Sequence, residues 1–284
     1  MIATTISGGI GNQLFMYAAA RAMALRKGTG LVINDTTGFA EDKEFRRNFE
    51  LGCFNLTYKH DKILSFQYPL AKYFRKISKL IKHNVFCPNY KYLTDSTANT
   101  GVDKHYFEIE GENIYIEGYW QSEEYFKDYE QVIRSDLAFS FTPTEELLLM
   151  ERKIINDLVN TPICVGVRRY QEVNHAMDFE ICGKEFYLKA FEYINNHVDN
   201  PVFYIFSQDK EWVKKELLLV ENNVVIMPEL ATHEDLYLMS KFKYHIISNS
   251  SFYWWGAWLA CGNIVVSSNT FKNKKQNCKN WVII

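Results

Sequence analysis

MIATTISGGIGNQLFMYAAARAMALRKGTGLVIND, residues Met1 to Asp35, is the stretch whose reading decides the fold. Ile2 to Ile6 has the character of a short buried strand, and Ser7-Gly8-Gly9-Ile10-Gly11 breaks it. From Asn12 to Lys27 the pattern turns helical. Leu14, Tyr17, Ala18, Arg21, Ala22 and Leu25 recur at three-to-four spacing, and Gly28 is a natural stop. Leu31-Val32-Ile33 is the next strand and ends at Asn34-Asp35. A strand, helix and strand joined this tightly make a βαβ unit, which demands a parallel sheet.

The same alternation returns in the C-terminal half. Strands are expected at Ile163–Val167, Val202–Phe206, Val224–Met227, Tyr244–Ser248 and Ile264–Val266. Between them lie helices at Glu185–His197, Lys210–Val220, Glu234–Phe242 and Phe252–Ala260. That order gives a doubly wound α/β domain. The middle is less regular. Ile114–Ile116 is strand-like, and a helix from Thr144 to about Val159, with Pro143 before it, leads toward the second half. The chain is 284 residues long, enough for two domains. The expected division is 1–160 and 161–284: two Rossmann-like domains facing across a cleft.

Composition excludes several function classes. Hydrophobic residues are 47% and charged residues 23%, so disorder is not expected. A formal net charge of −2 gives no reason to expect nucleic acid as a partner. The six cysteines (Cys53, Cys87, Cys164, Cys182, Cys261, Cys278) form no C-x-x-C pair and no Cys/His cluster, as in a reduced chain without a metal centre. The N-terminus lacks the basic start and apolar core of a signal peptide, and no apolar run is long enough to span a bilayer. A cytoplasmic location is expected. Residues 62–94 carry seven basic side chains and no acid. Peripheral contact of 62–91 with the anionic inner face of a membrane, or with a lipid-linked acceptor, is one expectation; a solvated basic helix is the other.

In open α/β sheets ligands bind beyond the carboxyl ends of the strands. Three strands of the C-terminal half end in polar groups: Val167 in Arg168-Arg169, Phe206 in Ser207-Gln208-Asp209, and Ser248 in Asn249-Ser250-Ser251. The last opens a helix, whose free N–H groups attract anions. With two guanidinium groups it suits a diphosphate. Each part also has an ordinary reading: a solvated arginine pair, a helix cap, and for Asp235 a surface acid favoured by the helix dipole. Trp254, Trp255 and Trp258 are expected in the core. Gly9-x-Gly11 permits close approach of backbone to ligand, but Leu14 stands where a dinucleotide fingerprint needs a third glycine. None of the twelve aspartates is separated from another by one residue, so the Asp-x-Asp metal motif is absent. Charge on a leaving group would be met by the protein's own cations.

These residues carry a resemblance. GGIGNQLFMYAAARAMA (Gly8–Ala24), GYWQSEEYF (Gly118–Phe126), FSQDKEW (Phe206–Trp212) and DLYLMSKFKYHIISNSSFYWWGAWL (Asp235–Leu259) resemble, in order and spacing, the motifs of bacterial α-1,2-fucosyltransferases, glycosyltransferase family 11. The resemblance implies a GT-B fold, an acceptor-side N-terminal domain and a GDP-fucose-binding C-terminal domain. It also implies inversion at the fucose anomeric carbon without a metal or other cofactor. Asp235 would accept hydrogen bonds from guanine, and Ser250 and Ser251 would contact the β-phosphate. Asn249, Gly9, Gly11 and Asn12 complete the expected donor-binding set.

The family's His-x-Arg-Arg-x-Asp motif falls on Gly166-Val167-Arg168-Arg169-Tyr170-Gln171. Both arginines are present, whereas the histidine is Gly166 and the aspartate Gln171. The expected activity is therefore metal-independent transfer of L-fucose from GDP-fucose to a glycan hydroxyl, α-1,2 to a galactoside. Arg168 and Arg169 would stabilise the leaving diphosphate. Glu172 is the expected base, with Asp178, Glu180 or a water-relayed proton loss as alternatives. Other linkages, another GDP-deoxysugar, and a silent nucleotide-sugar-binding protein remain open.

Overall fold

The computed structural model describes residues 1–40, 42, 45–60, 73, 77, 80–81, 89–97, 100–169, 181–218 and 223–284. These fall into two compact units: Met1–Phe141 with Lys272–Gln276, and Thr142–Phe271 with Asn277–Ile284. The division precedes the expected 160/161 boundary. Helix Glu145–Ile155 belongs to the second unit, where the Tyr237 hydroxyl donates to Glu151 at 2.7 Å and Glu234 accepts from the Thr144 amide at 3.0 Å.

The first unit is built on five parallel strands: β1 (Ile2–Thr5), β2 (Leu31–Asn34), β3 (Lys59–His60), β4 (Lys91–Thr94) and β5 (Ile114–Glu117), in the order β3-β2-β1-β5-β4. Ile2 pairs with Leu31 on one side and with Ile114 on the other. All residues of β1, β2 and β5 are buried. Such strands read as unbroken runs, since both faces of a parallel sheet are covered. Helix α1 (Ile10–Arg26) begins two residues before the sequence suggests, because Gly9 serves as its N-cap. Shorter helices α2 (Thr37–Ala40), α3 (His105–Glu108) and α4 (Glu130–Asp136) follow. The buried Asp136 carboxylate ties α4 to α1, accepting from the Tyr17 hydroxyl at 2.8 Å and from Arg21 Nε at 2.7 Å.

In the second unit α5 (Glu145–Ile155) stops short of Val159. The Asp157 carboxylate accepts from the amides of Val159 (3.1 Å) and Asn160 (2.9 Å), closing a turn that competes with the helix. The sheet then holds β6 (Thr161–Val167), β7 (Pro201–Ser207), β8 (Val224–Ile226), β9 (Tyr244–Ile247), β10 (Ile264–Ser267) and β11 (Val282–Ile283), ordered β11-β10-β9-β6-β7-β8 and parallel throughout. The helices are α6 (Lys184–His197), α7 (Lys210–Glu216), α8 (Thr232–Met239) and α9 (Ser251–Ala260). Trp254 and Trp255 are fully buried and Trp258 nearly so, which places all three in the core as expected. Each such side chain contributes roughly 2–3 kcal/mol of burial.

Candidate functional site

Sheet order determines where a ligand fits. In the second unit the chain starts at β6, moves outward through β7 and β8, then returns to β6's other side with β9 and continues to β11. The direction reverses between β6 and β9. Ligands bind outside the carboxyl ends at such a reversal. Arg168 and Arg169 leave β6 there, and Ser248-Asn249-Ser250-Ser251 leaves β9. The sequence motifs thus converge on the switch point.

The N-terminus of helix α9 lies at this place. Its N-cap Ser250 is extended and makes no side-chain capping bond, so its hydroxyl is not consumed by the helix. Ser250 and Asn249 are nearly buried and Ser251 is half-buried. The dipole at a helix N-terminus and two hydroxyls together favour an anion.

The two arginines are held differently. Arg168 donates from Nη1 to Gln208 Oε1, at the end of β7, and from its backbone N–H to Ser248 Oγ at 3.1 Å. Arg169 turns inward. Its guanidinium carbon lies 4.3 Å from the centroid of the Trp212 ring, and Nη1 donates to the Cys182 carbonyl at 3.1 Å. Its Nε is buried with no partner among the described residues. Arg169 is therefore not a solvated surface side chain, and an unsatisfied buried donor of this kind is costly unless a ligand completes it.

Asp235 lies in the first turn of α8, whose N-terminus follows the carboxyl end of β8. Its Oδ1 is buried and has no hydrogen-bond partner among the described residues. Burial raises its pKa from 3.8 to about 7, with Lys210 opposing the shift and Glu234 and Glu229 adding to it. Glu234 is committed to structure, accepting from the Thr144 and Ala231 amides. Burial also raises the Tyr187 phenol well above its usual value, with Cys182 adding to the shift and Ser248 working against it.

Gly9, Gly11 and Asn12 lie in the first unit, at its own switch point between β1 and β5. The position of Gly8 favours glycine, with φ at +74° and Asn12 Nδ2 3.1 Å from the place of a Cβ. Asn12 Oδ1 accepts from Gln121 Nε2 at 2.8 Å, joining the first turn of α1 to the loop after β5. The fully buried Gln13 donates to the carbonyls of Gly8 and Asn48, both at 2.8 Å, and accepts from the Glu50 amide at 2.9 Å. Its role as a brace for the glycine loop is one that sequence reasoning missed, as were those of Ser248, Tyr253 and Trp212. Only the tertiary contacts reveal them.

Glu172, Asp178, Glu180 and Gln171 lie outside the described residues, as do the basic side chains from Lys62 to Lys82. Tyr73, Ile77, Leu80 and Ile81 of that stretch are exposed. Among the described residues no group of three His, Cys, Asp or Glu side chains is placed to hold a metal ion, and no helix is long and apolar enough to cross a membrane.

Known proteins bear on this geometry. An Escherichia coli α-1,2-colitosyltransferase is 29% identical over 91% of this chain and 87% of its own. The E. coli O-antigen biosynthesis glycosyltransferase WbnK is 28% identical over 95% of this chain and 90% of its own. Among solved structures, NodZ α-1,6-fucosyltransferase soaked with GDP-fucose superposes with a TM-score of 0.52 at 15% identity, covering 91% of this chain and 92% of that one. A mutant of Arabidopsis thaliana FUT1 in complex with GDP gives 0.52 at 12% identity, covering 92% and 68%. These likenesses and the two parallel sheets establish a GT-B fold. The family model described as glycosyl transferase family 11 matches residues 1–284, and the chain belongs to that family.

Proposed function

We propose that the protein transfers L-fucose from GDP-fucose to a galactoside hydroxyl, forming an α-1,2 linkage with inversion and without a metal. The observation that carries this reading is the pair of buried atoms without a partner among the described residues, Asp235 Oδ1 and Arg169 Nε, on the carboxyl edge that also bears Ser250, whose hydroxyl makes no capping bond. An acceptor-only carboxylate matches the N1–H and N2–H donors of guanine. Arg168, Arg169, Asn249, Ser250 and Ser251 suit the diphosphate, and Gly9, Gly11 and Asn12 the remaining donor contacts. The acceptor oxygen bonds to the anomeric carbon as the bond from that carbon to the β-phosphate oxygen breaks. GDP leaves with the electron pair, and the arginines and the α9 N-terminus stabilise its growing charge. The acceptor proton goes to Glu172, with Asp178 as the next candidate.

The colitosyltransferase relative favours a second donor, GDP-colitose, whose sugar is fucose without its 3-hydroxyl. Incubating the pure protein with each donor and a panel of β-galactosides tests both readings. Turnover with linkage analysis identifies donor and bond; GDP binding without turnover on any acceptor would leave only a binding protein. A lipid-linked acceptor and peripheral contact of 62–91 with anionic lipid belong to the same proposal, supported by the basic run and the exposed Tyr73, Ile77, Leu80 and Ile81. Failure to sediment with anionic vesicles at physiological salt removes the membrane contact.

A further inference from the structure

Gly166 stands where the resemblance places a histidine, and the structure gives the reason for a glycine there. A Cβ at 166 would lie 2.3 Å from Cγ of Tyr253 and within 2.7 Å of both Cδ atoms. Real Cβ atoms do not approach a ring so closely. The Tyr253 ring, third residue of α9, fills the volume that a side chain at 166 would need. The two positions are reciprocal in size.

Tyr253 does more than fill space. Its hydroxyl shares its one proton between the carbonyls of Val167 (3.2 Å) and Phe206 (2.9 Å), which sit at the carboxyl ends of the neighbouring strands β6 and β7. The Val167 carbonyl belongs to the same peptide group as the Arg168 N–H, which donates to Ser248 Oγ at 3.1 Å. The peptide plane carrying Arg168 is thus pinned at its oxygen by Tyr253 and at its nitrogen by Ser248. Both pins come from the single segment that runs from the end of β9 into α9 and bears Ser250 and Ser251. On the other side, the Arg168 guanidinium meets Gln208, two residues beyond the second carbonyl that Tyr253 holds. Orientation errors of about 1 Å in a group that meets developing charge are costly to rate.

We infer that Tyr253 is a positioning residue for Arg168. It stands in for the missing side chain at 166 by clamping the ends of β6 and β7, and it fixes the direction in which Arg168 approaches the α9 N-terminus. This rests on the proposed diphosphate site, with Tyr253 itself placed behind it.

Tyr253→Phe keeps the ring and removes only the clamp. Hydrogen exchange resolved to single amides, on the ligand-free protein, should show Arg168 exchanging roughly 2- to 10-fold faster, as loss of one hydrogen bond allows. The amides of Cys164 and Val165, deeper in β6, should be unchanged. Equal exchange at Arg168, or uniform acceleration along β6, overturns the inference, because a merely structural tyrosine would loosen the whole strand. In turnover assays Tyr253→Phe should lower kcat in the wild-type background and have no further effect on Arg168→Ala. Independent, multiplying losses overturn it as well. If the protein transfers no sugar from any GDP donor, the proposed function falls, yet the exchange measurement still decides the clamp. As a size control, Gly166→Ala should melt at a lower temperature than Gly166→Ala combined with Tyr253→Ala. The opposite order refutes the reciprocal packing.

Discussion

Replacing Asp235 by asparagine should stabilise the empty protein and weaken its grip on GDP, and both effects follow from one buried carboxyl. Burial raises its pKa from 3.8 to about 7. Between those values the folded state holds a proton that the unfolded chain has released, so wild-type stability falls as pH rises through the window. The cost is absent near pH 4 and complete above pH 7. A rise of about 3 pKa units corresponds to at most ~4 kcal/mol at 1.36 kcal/mol each. Partial exposure of the side chain reduces this, and ~1–3 kcal/mol is the working expectation. Asparagine carries no such cost. Asp235→Asn should therefore raise Tm at pH 8 by roughly 2–4 °C per kcal/mol, and by nothing at pH 4.

Ligand affinity should move the other way. Guanine's two donors require the carboxylate, and at pH 6 a group of pKa about 7 is only about one-tenth ionised. Wild-type GDP affinity, measured by calorimetry, should weaken roughly tenfold from pH 8 to pH 6. Asp235→Asn should abolish that dependence and lose about 10- to 100-fold in affinity at pH 8, the range for hydrogen bonds to a charged group. ADP, with an acceptor at N1, should bind far more weakly than GDP to the wild type. A mutant less stable than wild type at pH 8 would refute the burial cost. Unaltered GDP affinity in the mutant, or equal affinity for GDP and ADP, would refute guanine recognition.

Arg168→Ala and Arg169→Ala should each lower kcat more than they raise acceptor KM, by about 2–4 kcal/mol of transition-state stabilisation; unchanged kcat in both would exclude them from the diphosphate site. Activity should persist in excess EDTA, since no Asp-x-Asp pair occurs in the sequence; complete loss restored by Mn²⁺ or Mg²⁺ would refute metal independence. Glu172→Gln should lower kcat by ~10²–10⁴ with donor binding intact and remove the acidic limb of the pH–rate profile; wild-type kcat would pass the role to Asp178, tested as Asp178→Asn.

The parallel sheets were legible because their strands are buried on both faces. Ile2 to Thr5 and Ile163 to Val167 read as unbroken apolar runs, and the glycines and polar residues that end them mark the carboxyl edge. Edge strands gave less signal. Lys59–His60 is exposed, two residues long and, among the described residues, paired with β2 alone, and Val282–Ile283 likewise with β10 alone, so neither has a pattern to detect. Helix ends shifted where side chains intervened, as Asp157 does after α5. The braces were invisible for a different reason. Ser248 and Tyr253 act on groups 47 to 86 residues away that the register of β6 against β7 and β9 brings within reach, and Gln13 reaches the Asn48 and Glu50 backbone 35 and 37 residues on.

The two departures from the family motif differ in kind. Gln171 replaces a carboxylate by an amide, a chemical loss that must be made good by another acid or by water if a proton is to leave the acceptor hydroxyl. Gly166 replaces a ring by nothing, a loss of volume, and Tyr253 supplies a ring to that space from the opposite element together with a hydroxyl aimed at the strand ends. The packing around 166 therefore leaves the acid–base question to 171 and its neighbours. Whether Glu172 or Asp178 receives the acceptor proton is the point on which the comparison of Glu172→Gln with Asp178→Asn bears directly.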